Sequence, residues 1–94
     1  MTHYFTIRYR YSDGRGRIAF VVDDGRGNAY LFSGGRLQAG LTGSGACARL
    51  TCMLGRIGMC APVFDTTPHT LDSLRQLTAS VARIPLAVYQ TTDV

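Results

Sequence analysis

From residue 3 to residue 11 the side chains alternate without interruption, with Phe5, Ile7, Tyr9 and Tyr11 on one side and Tyr4, Thr6, Arg8 and Arg10 on the other. A period of two belongs to a pleated strand with one buried face; a helix would repeat its apolar positions every three to four residues. Ser12-Asp13-Gly14-Arg15-Gly16 follows, and Asp-Gly is turn chemistry that reverses the chain. Residues 18–22, β-branched and aromatic, then fold back antiparallel. A second turn, Asp23-Asp24-Gly25-Arg26-Gly27-Asn28, leads into a third short strand at 29–32. The first third of the chain is therefore expected to be an antiparallel meander.

Seven of the eleven glycines fall between residues 33 and 58, and glycine punctuates regular structure, so this stretch reads as a mobile excursion from the core. Inside it, Ala46, Cys47, Leu50, Met53 and Leu54 share a helix face, with Ser44 as the cap and Gly55 in the left-handed position past the end. Ala48, Leu50, Cys52 and Leu54 also alternate as a strand would; helix is the preferred reading for 45–54. Residues 59–65 read as extended, because Pro62 biases Ala61 away from helical angles. At 70–83 a capping Thr70, an acidic Asp72 and the stripe Leu71, Leu74, Leu77, Val81 predict a helix, which Pro85 stops. Residues 86–89 suit a closing strand at a sheet edge. No internal repeat or linker is apparent. The expected fold is a single α+β domain, 1–94: an antiparallel sheet of three to five strands, the N-terminal β-meander plus a C-terminal strand, packed on one face by one or two helices. Its expected core is Phe5, Ile7, Tyr9, Phe20, Val22, Leu31, Leu50, Leu54, Leu71, Leu74, Leu77, Val81 and Val88.

The whole fixed charge of the 94 residues is carried by ten arginines and six aspartates; lysine and glutamate are absent. That excludes a Schiff-base lysine, a phosphate-loop lysine, the glutamate of a His-Glu-x-x-His zinc site and any glutamate acid/base pair. The longest apolar runs fall far short of the ~20 residues that span a bilayer, and no leader pattern opens the chain, so the expected location is cytoplasmic with no membrane partner. Three cysteines are an odd number for a disulfide framework, and reduced, buried thiols are expected at Cys47, Cys52 and Cys60.

Four constellations contain the groups of a chemical site and also fit plainer roles. Cys47, Cys52, Cys60 and His69 supply the donor types of a tetrahedral zinc site, but the spacing lacks a Cys-x2-Cys knuckle, and no metal is expected. Cys60, His69 and Asp65 contain the groups of a nucleophilic triad, yet Asp65 precedes a helix start where capping is the commoner role, so no catalytic residue is assigned. Asp23-Asp24 reads as a turn, being followed by Gly25. Gly43-Ser44-Gly45-Ala46-Cys47-Ala48 partly matches a dinucleotide fingerprint, but no clear strand feeds it, and no cofactor is expected.

A formal charge of +4 favours acidic partners. Tyr4, Arg8 and Arg10 on the polar side of the first strand, with Arg15 and Arg17 at the hairpin, are the candidate partner-binding residues. Guanidinium forks grip carboxylates and phosphates through paired hydrogen bonds. The opening strand 3–11, the Gly14-x-Gly16 turn and the Thr70-Leu71-Asp72-Ser73-Leu74 helix resemble small phage-borne anti-defence proteins of the anti-CRISPR kind. That resemblance implies a non-enzymatic inhibitor that occludes an acidic surface of a host protein complex. The alternative is an RNA- or single-stranded-DNA-binding module using the same arginine and tyrosine face.

Overall fold

The computed structural model describes residues 3–78. Five strands, β1 (Thr6–Ser12), β2 (Ile18–Asp23), β3 (Asn28–Ser33), β4 (Arg36–Thr42) and β5 (Met59–Pro62), form an open antiparallel sheet in the order β4-β3-β2-β1-β5. Two helices, α1 (Ala46–Leu54) and α2 (Leu71–Thr78), complete an α+β fold. The expected strand at 86–89, the end of the expected 70–83 helix, and the expected core positions Val81 and Val88 lie outside the described residues.

The meander follows from the alternation and the two Asp-Gly turns. β4 was not anticipated: it occupies the glycine-rich stretch, pairing with β3 from Asn28↔Thr42 to Ser33↔Arg36. Gly40 belongs in that strand because a Cβ there would lie 2.8 Å from the Tyr30 ring. It marks a close approach, one of the recurrent reasons for glycine inside a strand. β4 and β5 occupy opposite edges and run in the same direction, and α1 returns across the sheet between them.

Two cores flank the sheet. Ala19, Val21, Ala29 and Leu31 pack with Tyr11 and with Ala46, Leu50 and Leu54 of α1. Val22 and Phe32, on the opposite side of the same strands, pack with Ile7 and with Leu74 of α2, and Phe5, Phe20, Tyr30 and Val63 line the margin half-buried. A sheet that is apolar on both faces needs a cover on each. The helices accordingly take opposite faces, and α1 does not join the α2 layer as the sequence reading expected.

β1 contributes to both cores because it carries a β-bulge. Ile7 pairs with Val22 while Tyr9 pairs with Val21, which leaves Arg8 as an extra residue. A shift of one residue moves each later side chain to the other face. Phe5 and Ile7 therefore belong to the α2 core, and Tyr9 and Tyr11 to the α1 core. The one-sided reading of residues 3–11 is corrected by this pairing, which alternation alone does not register.

Helix ends also differ from expectation. Gly45, at a left-handed φ of 70°, starts α1 with no side-chain cap, so Ser44 does not cap it. Gly55 is right-handed at φ −63° and donates its N–H to the Thr51 carbonyl. In α2 the Thr70 Oγ1 accepts the Ser73 N–H at 3.1 Å, as the capping reading requires. Leu71 and Leu77, expected in the core, are 38% and 45% exposed. The buried stripe of α2 is instead Leu74 and Thr78, four residues apart, and Thr78 Oγ1 accepts the Gly35 N–H at 3.0 Å, fixing the end of α2 to the β3–β4 turn.

Candidate interaction surface

Residues 12–17 and 23–28 build one turn twice. In the first, the Ser12 hydroxyl accepts the Gly14 N–H, and Asp13 Oδ1 accepts the N–H groups of Arg15 (2.8 Å) and Arg17 (3.2 Å). Asp13 Oδ2 takes the Arg17 guanidinium. In the second, Asp23 Oδ1 accepts the Gly25 N–H, and Asp24 Oδ1 accepts those of Arg26 (2.8 Å) and Asn28 (3.3 Å), while Asp24 Oδ2 takes the Asn28 amide at 2.7 Å. Gly16 and Gly27 close the turns at φ 86° and 85°, angles that L side chains rarely adopt. The sequence signal is Asp-Gly-Arg-Gly recurring eleven residues apart, which each turn's ordinary composition hides.

Burial alone raises the Asp13 and Asp24 carboxyls. The hydrogen bonds outweigh it: those of Arg15 and Arg17 hold Asp13 below the usual carboxylate range, and those of Asn28 and Arg26 do so for Asp24. Both turns present an arginine, Arg15 or Arg26, whose guanidinium has no hydrogen-bond or ion-pair partner among the described residues.

Because successive strands are antiparallel, the 12–17 and 33–36 turns lie at one end of the sheet, here the lower end, and the 23–28 turn and residues 43–45 lie at the other. Among the described residues, backbone position puts Arg10, Arg15, Arg17, Arg36 and Arg56 at the lower end, against Asp13. At the upper end Arg8, Arg26, Arg49 and Arg75 are matched in number by Asp23, Asp24, Asp65 and Asp72. Arg83 and Asp93 lie outside the described residues; among the described residues the excess of four positive charges stands at the lower end.

The five predicted partner-binding residues are not one patch. Arg10, Arg15 and Arg17 lie at the lower end, Tyr4 and Arg8 towards the upper. The bulge parts Arg8 from Arg10: Arg10 is level with Phe20 on the α2 side, whereas Arg8 bonds the Asp23 carboxylate at 2.9 Å. Arg17 is committed to Asp13. Arg26 and Arg56 are not among the residues that the sequence reading singled out. Arg26 was legible from its equivalence with Arg15; Arg56 joins the lower end only through the long-range pairing Ser12↔Met59 that seats β5 beside β1.

The remaining constellations separate in space. Cys47 and Cys60 are half-buried at the margin of the α1 core, and Cys52 is exposed. Burial pushes the Cys47 and Cys60 thiols up; Asp23 adds to the shift at Cys47 while Arg8 opposes it, and Cys47 adds to the shift at Cys60. A thiol held protonated is a poor nucleophile. His69 pairs its backbone with Phe5, beside the α2 core, and shares a 2.8 Å hydrogen bond between Nδ1 and the Ser73 hydroxyl. Asp65 accepts the N–H and hydroxyl of Thr67, hydrogen bonds that hold its carboxyl low with help from the charge of His69. Among the described residues no group of three or more His, Cys, Asp or Glu side chains is placed to hold a metal. No helix among them is long and apolar enough to cross a membrane.

Two open clefts flank the upper turn. One, of about 520 Å³, lies between that turn and the start of α1, lined by Asp23, Arg26, Asn28, Ser44 and Cys47. The other, of about 650 Å³, is floored by Phe5 and Tyr30, whose rings meet edge to face at 5.9 Å, and is rimmed by Asp24 and Asp72. A strand, β4, does feed Gly43-Ser44-Gly45, contrary to the sequence reading. The strand after α1, however, joins the far edge of an antiparallel sheet, so the βαβ unit of a dinucleotide site is not formed. Compared with protein-family models, curated proteins and solved structures, the chain matches none.

Proposed function

We propose that this protein is a small, non-enzymatic binding protein, of the kind a phage or mobile element uses as an inhibitor, which occludes an acidic surface of a partner protein complex. The observation that carries the reading is the segregation of charge: among the described residues the excess of four positive charges stands at the lower end, where the carboxylate of Asp13 is engaged by its own turn and by Arg17. A one-signed end steers an oppositely charged partner and fixes its orientation. Arg10, Arg15 and Arg56 are the exposed guanidinium groups that meet it; Arg17 holds the turn that displays Arg15. Tyr4 and Arg8 stand outside this contact.

Affinity capture from nuclease-treated host extract tests the reading. The wild-type chain and Arg26→Asp should capture the same partner protein, and Arg10→Asp/Arg15→Asp should lose it. Capture that survives the double reversal would sink the proposal. Capture abolished by nuclease would favour the nucleic-acid alternative, whose binding weakens linearly in log salt.

A further inference from the structure

We infer that the lower half of the α2-side sheet face is the docking surface itself, and that its occupant is a protein segment combining carboxylates with an apolar side chain. The inference rests on the proposed arginine-end reading and names its partner. Two rows of the sheet define the surface. Strand register sets Ala61, Arg10 and Phe20 side by side in one row, and Met59, Ser12 and Ile18 in the next. Leu74 of α2 packs with Ile7, Val22 and Phe32, and Phe20 lies half-buried against that cluster, at the margin of the two rows. Met59 is 78% exposed, Ala61 is exposed, and Ile18 and Phe20 are half-buried.

Charge complementarity specifies the occupant. Arg10 stands in the middle of the apolar rows, with no hydrogen-bond or ion-pair partner among the described residues; Arg15 stands at the turn below, and Arg56 shortly before β5. Neither row contains a carboxylate. A bound segment thus needs a negative group for Arg10 and an apolar group for Met59 and Ile18, the pairing of charged rim and greasy centre found in protein interfaces. Single-strand binders instead stack bases on free aromatic rings. Here the one ring, Phe20, packs against the α2 core, and the most exposed apolar group is a thioether, which adapts to side chains of varied shape.

Fluorescence titration of the full chain with three labelled probes tests this. The probes are a peptide of alternating Asp and Leu, a peptide of alternating Asp and Ser of equal length and charge, and an oligothymidylate of the same length. The Asp-Leu peptide should bind about tenfold tighter than the Asp-Ser peptide, or roughly 1.4 kcal/mol. Met59→Ser should erase that difference, and Arg10→Ala should weaken both peptides. Equal affinity for the two peptides, or tighter binding of oligothymidylate, overturns the inference and leaves a charged lower end standing. Binding of none of the three overturns the arginine-end reading as well. Peroxide footprinting adds an independent measurement: Met59 should oxidise rapidly in the free chain and be protected by the Asp-Leu peptide. Slow oxidation in the free chain would mean that a second copy or the chain's own residues cover the face, and would also overturn the inference.

Discussion

The lower and upper turns share Asp-Gly-Arg-Gly and the same ring of hydrogen bonds, and differ only in their first and last residues: Ser12 and Arg17 below, Asp23 and Asn28 above. The backbone is indifferent to that difference. Its first position needs only an oxygen to accept a glycine N–H, and its last only a donor for the aspartate Oδ2. Charge is not indifferent, because the lower six residues carry one positive charge net and the upper six one negative. The four shared residues therefore set the fold of each hairpin, and the two variable ones decide which end of the sheet is left basic. Asp23 extends the asymmetry by engaging Arg8.

The strongest way to break the equivalence is to remove either clasping aspartate. Asp13→Ala and Asp24→Ala each delete three hydrogen bonds and should cost about 2–3 kcal/mol in urea unfolding, at roughly 1 kcal/mol per bond. Losses that differ by more than about 1 kcal/mol would show that the turns share a shape and not an energy, within the spread expected of single hydrogen bonds. The pH dependence follows from the same bonds. Both carboxyls are depressed in the folded chain, so they bind fewer protons than in the unfolded one. The stability they contribute is present above about pH 4, the ordinary carboxylate range, and is lost as pH falls through their lowered values. Each alanine variant should lose less stability on acidification than the wild type does.

A smaller effect isolates backbone angle from contact. Nothing lies within 4 Å of a Cβ built on Gly16 or Gly27, so alanine there meets only the cost of a positive φ. Gly16→Ala and Gly27→Ala should each destabilise by about 1–2 kcal/mol, read as a shift in urea midpoint at constant slope. A neutral result at either site would mean that the turn relaxes to another conformation.

What could be read from the sequence divides along the same physical line. The meander and α2 were legible because their signals are local: a period of two, Asp-Gly reversals, and a three-to-four spacing behind a capping threonine. The bulge at Arg8 was not, since it exists only in the register between Ile7↔Val22 and Tyr9↔Val21. β4 was hidden by Gly40, whose reason is the Tyr30 ring on a neighbouring strand. The second covered face was present in the unbroken apolar run of residues 18–22, which was read only as a strand. At the candidate surface, Arg10, Arg15 and Arg17 were visible as exposed basic positions. Met59 and Arg56 were not, because only the long-range pairing of β5 with β1 brings them there.

The smallest expected change sharpens the comparison most. Arg17→Asn converts the last residue of the lower turn into that of the upper, and the new amide can donate to Asp13 Oδ2 as Asn28 donates to Asp24. The Arg17 side chain is one-third exposed, and pairs of this kind contribute less than about 1 kcal/mol, so stability should shift by no more than about 0.5 kcal/mol. Affinity for an acidic probe should nevertheless fall and become less salt-dependent, since the lower end loses one of its positive charges. The reciprocal Asn28→Arg should leave stability equally unmoved and raise the charge of the upper end without improving binding. If Asn28→Arg improved acidic-probe binding as much as Arg17→Asn weakened it, total charge would govern recognition, and the placement of that charge at one end of the sheet would carry no functional meaning.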